Sequence, residues 1–299
     1  MRHLEPLAYI DAIARAGSIR QAAESLAITS TALNRRVLAL EEELGVPIFE
    51  RLPRGVRLTT AGELLVGHIR TQQSDLEKLR SQIDDLKGER RGHIAIACSQ
   101  ALLPFFLPEQ IAQYRASHPA VTFAVALRDR EAAEQALVDH TADLALVFEP
   151  VRLREVQVIS SVRQGLHGVM AADHPLAGQD QLRLRDCAQW PIGLPTAPFG
   201  VRNLLDAALM HKTLSLNVAL ESDSFEFLRN YPMHENMVTF QIPIGLPVPG
   251  LLPDLITRPV DTRDVPEGTL YLCQLRGRAL PVAAAKFASQ LEATLDERF

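Results

Sequence analysis

Ser18-Ile19-Arg20-Gln21-Ala22-Ala23-Glu24-Ser25-Leu26, Thr29-Ser30-Thr31-Ala32-Leu33-Asn34-Arg35-Arg36, Leu40-Glu41-Glu42-Glu43-Leu44-Gly45, Phe49-Glu50-Arg51 and Leu58-Thr59-Thr60-Ala61-Gly62 follow one another within residues 18–62. Ser18 and Gln21 have the Ser-x-x-Gln spacing of a capping box, so a helix starts there. Ala22, Ala23 and Leu26 give that helix a small-residue face for close packing. A short turn at Ala27-Ile28 leads to a further helix that Thr29 or Ser30 can cap. Its apolar positions Leu33, Val37, Leu40 and Leu44 keep the helical period. Gly45 ends it. Val46, Ile48 and Phe49 then read as a strand, and Val56 to Leu58 as its partner. Between them lies Arg51-Leu52-Pro53-Arg54-Gly55, a turn with a basic tip. Two short helices followed by a basic hairpin spell a winged helix-turn-helix, and the first expectation is DNA binding.

Thr29, Ser30, Thr31, Asn34 and Arg35 open the second of these helices outside its apolar stripe, with Leu38 further along. Short polar groups at such a start can approach base edges in the major groove. Asn34 suits adenine; Arg35 could read guanine or hold a phosphate. Arg54 on the hairpin tip suits a narrow, electronegative minor groove. Taken alone, the same residues describe a capped helix with a solvated face and a solvated turn arginine. The wing beside them favours the DNA reading.

Working outward, Leu4, Leu7, Ile10 and Ile13 predict a first helix ending near Gly17. On the other side, Thr60 and Glu63 make a second capping box and open a helical run to about Lys87. Leu65, Ile69, Gln72, Leu76, Leu79, Ile83 and Leu86 recur in the heptad spacing of a helix–helix seam. A helix of that length spans roughly 40 Å at about 1.5 Å per residue. It needs a partner, which predicts a homodimer; packing against the chain's own C-terminal half is the alternative.

The chain has 299 residues, 47% of them hydrophobic, which suits two or three domains. No apolar run is long enough for a transmembrane helix, and the first residues lack the apolar stretch of a signal peptide. A cytoplasmic location without membrane contact is expected. Cys98, Cys187 and Cys273 are far apart and read as free buried thiols. The formal charge is −5. Residues 1–90 are neutral, with 13 basic and 13 acidic side chains, so the remainder carries the deficit. Within that neutral part Arg35, Arg36, Arg51, Arg54 and Arg57 cluster, a local basic face fit for selective DNA contact.

The winged segment resembles the LysR-type transcriptional regulators. The resemblance rests on Ala22-Ala23 with Leu26, Ala32-Leu33-Asn34-Arg35, Leu40-Glu41-Glu42-Glu43-Leu44-Gly45, Phe49-Glu50-Arg51 and Leu58-Thr59-x-Ala61-Gly62. Members often carry Gln-Pro where this chain has Ser30-Thr31, and Ser where it has Asn34. These are outward helix positions, so the bases read can differ while the fold stands.

Beyond Gly88-Glu89-Arg90-Arg91-Gly92, a hinge-like stretch, strands and helices alternate. Strands are expected at His93–Cys98, Val121–Leu127, Asp143–Phe148, Leu166–Met170 and Leu216–Leu220. Helices are expected at Leu102–Ser117, Glu131–Asp139, Val201–His211 and Pro281–Leu295. The alternation predicts a parallel sheet covered by helices. No nucleotide loop, zinc-protease motif or nucleophile elbow is present, and the nine histidines show no ligand spacing. Catalytic residues, metal and cofactor are therefore not expected.

His174-Pro175-Leu176-Ala177 continues the resemblance into this half. It implies an effector domain similar to two-lobed periplasmic binding proteins, with crossings near Val158–Arg163 and Arg258–Pro266 and a small molecule between the lobes. The organisation expected is α+β and multidomain: a winged module (1–59), a linker helix and hinge (60–91), and an effector domain (92–299). Its first lobe takes 92–160 and 267–299, its second 161–266. Ligands in such folds sit beyond the carboxyl ends of strands. That rule selects Ser99, Gln100, Arg128 and Phe148 from the first lobe and Thr196, Phe199 and Arg202 from the second. Amides and hydroxyls at Ser99 and Gln100 favour a carboxylate. The function expected is a DNA-binding transcription regulator set by a small-molecule effector. Promoter DNA, the effector and further copies of the chain are its partners, as a dimer and, by resemblance, a tetramer. RNA polymerase is a further candidate. The rival reading is a small-molecule binding or transport component whose N-terminal helices only mediate assembly. Arg229–Phe240 is the stretch least like the family.

Overall fold

The computed structural model of the chain describes residues 5–86, 91–149, 154–210, 213–248 and 250–299. It divides into two compact units, residues 1–80 and 81–299. The division falls inside the linker helix, so most of that helix belongs with the winged module and not to a separate 60–91 segment.

The first unit contains α1 (Glu5–Ala16), α2 (Ile19–Ser25), α3 (Ser30–Leu44), the hairpin β1 (Phe49–Leu52) and β2 (Gly55–Leu58), and most of α4 (Thr60–Leu86). The starts follow from their caps. Ser18 Oγ accepts from the Gln21 amide at 3.4 Å, and Thr29 Oγ1 accepts from the Ala32 amide at 3.2 Å. Gly45 ends α3 in the left-handed conformation that glycine adopts without penalty. The α4 cap differs from the expectation. Thr59 Oγ1, not Thr60, accepts from the Gly62 amide at 3.0 Å, while donating to the carbonyl oxygens of Pro47 and Ile48.

The β1–β2 register pairs Phe49 with Leu58 and Leu52 with Gly55. A Cβ at Gly55 would lie 2.3 Å from the Gly17 oxygen, and the neighbouring Val56 amide donates to that oxygen at 2.9 Å. Only glycine lets the wing seat against the α1–α2 turn. Ile10, Ile13, Ala22, Ala23, Leu33, Val37, Ile48, Phe49, Val66 and Ile69 form the buried core. Arg70 of α4 binds the buried Asp11 carboxylate at 2.8 Å, and Arg15 binds its other oxygen at 2.7 Å. Removing one partner of such a pair would leave a buried charge uncompensated, at about 3–5 kcal/mol.

The second unit has two sheets. The first lobe has β3 (Gly92–Cys98), α5 (Phe106–Ser117), β4 (Val121–Leu127), α6 (Arg130–Val138), β5 (Leu144–Phe148) and β6 (Val156–Gln164). The second lobe has β7 (His167–Ala171), α7 (Leu184–Cys187), β8 (Ile192–Pro195), α8 (Gly200–Leu209), β9 (Val218–Ser222), α9 (Phe225–Asn230), β10 (Val238–Gln241) and β11 (Leu255–Pro259). The chain then returns to the first lobe with β12 (Gly268–Leu275) and α10 (Val282–Arg298).

The strand orders are β4-β3-β5-β12-β6 and β11-β7-β10-β8-β9. Neither sheet is wholly parallel, contrary to expectation. β3, β4 and β5 run parallel, but β12 re-enters from the other lobe and lies antiparallel to both β5 and β6. The first crossing falls later than expected: residues 161–164 still pair with β12, so it lies at Gly165-Leu166, whereas the second follows Pro259, within the Arg258–Pro266 stretch. The expected Leu102–Ser117 helix is a 3-10 turn at Gln100–Leu102 followed by α5. His211, the expected end of α8, lies outside the described residues. The His174-Pro175-Leu176-Ala177 stretch is a buried turn. His174 Nδ1 accepts from the Leu176 amide at 3.1 Å, and the ring meets Trp190 edge-on at 4.8 Å.

Candidate functional site

On the first unit, Ser30, Thr31 and Arg35 are exposed along the start of α3, and Arg54 is exposed at the wing tip. Thr29 is exposed too, but its hydroxyl is committed to the helix cap. Asn34 is half-buried, and its Oδ1 accepts from Arg51 Nη2 of β1 at 2.8 Å. Sequence reasoning placed Arg51 in the basic cluster without giving it this role. The other clustered arginines are held elsewhere. Arg36 stacks over the Tyr9 ring at 4.5 Å, and Arg57 pairs with Glu50 at 2.6 Å. Glu41 accepts from the Ile48 and Phe49 amides at 2.7 and 3.1 Å, fixing the wing relative to α3.

The heptad positions of α4 separate into two groups. Ile69 is fully buried and Leu65 packs against the same core, so these two serve the winged module itself and are not free for a partner. Gln72 is exposed and Leu76 half-buried, while Leu79 and Ile83 remain 50% and 42% exposed. The Leu86 side chain lies outside the described residues.

On the second unit, Ser99, Phe148 and Phe199 come together in a cleft between the lobes. Asp129, Arg130, Asn203 and Phe225 line it as well. The Phe148 ring closes its floor. A Cβ at Gly200 or Gly268 would come within 2.4 or 2.3 Å of that ring, so glycine on each side admits it. Phe199 meets Phe225 edge-on at 5.2 Å. Two of the polar groups lining this apolar space are unspent. Ser99 Oγ and Arg130 Nε are buried with no hydrogen-bond partner among the described residues. Glu134 approaches Arg130 only to 3.9 Å. The cleft's cavity volume is about 30 Å³, room for roughly two waters. The lobes must part to admit a larger molecule.

Four expected residues do not line this cleft. Gln100 spans the lobes: its Nε2 donates to the Asp223 carbonyl, and its Oε1 accepts from the Phe225 amide at 2.9 Å. Arg128 is exposed and donates to the Leu127 carbonyl at 2.9 Å. Thr196 sits in the loop below, accepting the Phe199 amide through its carbonyl at 3.3 Å. Arg202 is drawn away by Asp206 at 2.9 Å and by Glu221. Arg130, two residues beyond Arg128, carries the charge into the cleft because Asp129 caps α6 by accepting from the Ala132 amide at 2.8 Å. Glu149, which follows Phe148, has φ of 80°, and burial raises its carboxyl while Arg130 opposes the rise.

Burial pushes the Cys98, Cys187 and Cys273 thiols up to about 12, so all three are protonated at neutral pH. Among the described residues no cluster of three or more His, Cys, Asp or Glu is placed to hold a metal ion, and no helix is long and apolar enough to cross a membrane.

Residues 4–63 match the bacterial regulatory helix-turn-helix protein, lysR family, and residues 87–296 match the LysR substrate binding domain. The RuBisCO operon transcriptional regulator of Allochromatium vinosum is 28% identical over 292 residues, covering 95% of this chain and 93% of the relative. Among solved structures, a full-length OxyR from Pseudomonas aeruginosa is similar at a TM-score of 0.74 and 20% identity, covering 96% of this chain and 94% of that one. Full-length CbnR complexed with its target DNA is similar at 0.56 and 18% identity, covering 98% and 99%.

Proposed function

Since the chain belongs to the LysR family of bacterial regulators, we propose that its winged unit reads promoter DNA under the control of an organic carboxylate held in the interlobe cleft. The protein is a DNA-binding transcriptional regulator modulated by a small molecule, and its relatives are regulators and not enzymes. The cleft's two unspent groups carry the carboxylate reading. A buried guanidinium Nε and a buried hydroxyl without hydrogen bonds among the described residues cost free energy until an acceptor meets them. A carboxylate supplies acceptors to both, and Phe148, Phe199 and Phe225 offer its apolar body aromatic walls.

On DNA, Ser30, Thr31 and Arg35 face the major groove and Arg54 the minor groove. Asn34 and Arg51 act as one hydrogen-bonded pair. Gln72, Leu76, Leu79 and Ile83 are the dimer seam. An effector stabilises whichever lobe arrangement binds it better, and the dimer or tetramer transmits that preference to the spacing of the wings. Work at a promoter places the protein in the cytoplasm with RNA polymerase in reach.

The test is a DNA shift assay on the full chain with fragments of the source genome, with and without a panel of organic acids. A fragment bound at low nanomolar protein, with a shift that one acid alters, supports the reading. Failure to prefer any fragment over random DNA defeats it.

A further inference from the structure

A second hollow opens between the lobes on the far side of the Gln100 clamp. Its cavity volume is about 350 Å³, ligand-sized without any lobe movement, and it opens broadly to solvent. Leu103, Pro104 and Phe105 wall it from the turn before α5, Leu127 from the end of β4, and Glu226 and Arg229 from α9. Gln100 and Phe225 separate the two spaces, and Phe225 lines both.

Arg229 distinguishes this hollow. Its side chain is only 13% exposed, and its Nε is buried without a hydrogen-bond partner among the described residues. The Phe105 ring holds one face of the guanidinium at 5.1 Å. Its nearest carboxylate, Glu226, is 4.0 Å away and 76% exposed, too far for a hydrogen bond. The planar fork therefore has an aromatic partner for its face and, at its Nη end, only the 4.0 Å ion pair with Glu226, which leaves a hydrogen-bonding edge for a carboxylate. Burial lowers the guanidinium's proton affinity, and the Glu226 carboxylate opposes the fall. Leu127, 43% exposed, and the adjoining Leu103 and Pro104 present apolar surface. The Glu226 carboxylate at the rim disfavours a dianion such as a phosphate ester.

We propose that this hollow is a second small-molecule site, for a monoanionic carboxylate with a short apolar body. Its carboxylate pairs with the edge of Arg229, and its body lies against Leu103, Pro104 and Leu127. An occupant touches both lobes and Phe225, which also lines the first cleft. Arg229 opens the segment that looked least like the family.

The test uses the full chain, with hexanoate and inorganic phosphate as probes, titrated by ligand-observed NMR. Three variants are compared with the parent: Arg229→Gln, Leu127→Trp, which fills the hollow from an exposed strand end, and Ser99→Trp, which fills the first cleft. Hexanoate should bind the parent and Ser99→Trp alike and at least tenfold more weakly to the other two, with phosphate binding far more weakly. If Arg229→Gln does not fold, Leu127→Trp decides. Hexanoate binding unchanged by Leu127→Trp, or lost in Ser99→Trp alone, overturns the second site and leaves the first cleft's assignment intact. No hexanoate binding at millimolar concentration overturns it as well. Phosphate binding as tightly as hexanoate in an Arg229-dependent way overturns the ligand class.

Discussion

The Arg51 guanidinium of the wing donates to the Asn34 amide oxygen of the recognition helix at 2.8 Å. The pair links the two elements that would enter DNA together. It also changes the meaning of Asn34. A bidentate adenine contact uses both amide atoms, and here one of them already steadies a cation. Asn34 can still donate through its nitrogen while presenting Arg51 to the same stretch of groove.

The first prediction follows. Asn34→Ala should lower affinity for a selected genomic fragment by about 1–3 kcal/mol, the worth of a base contact, with little change on random DNA. Arg51→Ala should add less than its own single effect, because each residue positions the other. Fluorescence anisotropy on the two singles and the double measures this. Strict additivity would show that the hydrogen bond has no part in binding.

Among the described residues Arg54 has no ion-pair neighbour and stands at the exposed wing tip, unlike Arg57, which Glu50 already neutralises. Arg54→Ala should weaken binding on all sequences and reduce the salt slope by about 1, one counterion fewer released. Arg57→Ala should change the slope less. Equal slopes for the parent and Arg54→Ala would take Arg54 off the interface.

The linker helix allows a similarly divided prediction. Leu79→Asp with Ile83→Asp places charges on the exposed part of the seam and should yield a folded monomer by light scattering. Ile69→Asp should instead unfold the winged unit, because Ile69 is part of its core. An intact oligomer from the Leu79/Ile83 variant would end the seam assignment.

Glu149 gives the pH dependence a sign. Burial raises its carboxyl in the folded chain, so folding favours the neutral form. Its contribution is full below the unfolded carboxyl range, near about 4.3, and is lost as pH rises through the raised folded value. Glu149→Gln should therefore raise the unfolding temperature at pH 7–8 and leave it nearly unchanged at pH 4. A shift of equal size at both values would mean that the charge of Glu149 is immaterial.

The caps at Ser18 and Thr29, the α3 stripe and the hairpin were legible because each depends on residues a few positions apart. Leu65 and Ile69 misled for a definite reason. Over two turns the heptad spacing and the 3.6 period coincide, so a sequence shows an apolar face without showing what covers it. The cleft was legible as a place, beyond the strand ends, but less so in its charges. Arg128 and Arg130 differ only in which side of the Asp129 cap they occupy. Arg202 is lost to Asp206 one helical turn on and to Glu221 on another strand. Gln100 was chosen as a ligand group, yet its partners lie 123 and 125 residues away. Such long-range pairing leaves no trace in local spacing.

The last prediction tests the cleft through its unspent groups. Ser99 Oγ and Arg130 Nε are both buried without a hydrogen-bond partner among the described residues, so Ser99→Ala removes an unmet polar group and should leave the effector-free protein at least as stable. The same change removes one hydrogen bond to the bound carboxylate and should weaken effector affinity by about 1.5–3 kcal/mol, the worth of a charged hydrogen bond. Arg130→Gln should weaken it further, since both the charge and the forked geometry go. DNA affinity without effector should stay near the parent's in both variants. Ser99→Trp fills the space and should abolish the response altogether, with Phe148 still seated between Gly200 and Gly268. Calorimetric titration of the effector, with anisotropy on the selected fragment, reads all of these. Undiminished effector affinity in both Ser99→Ala and Arg130→Gln would move the effector out of this cleft, and the Arg229 hollow would be the next place to titrate.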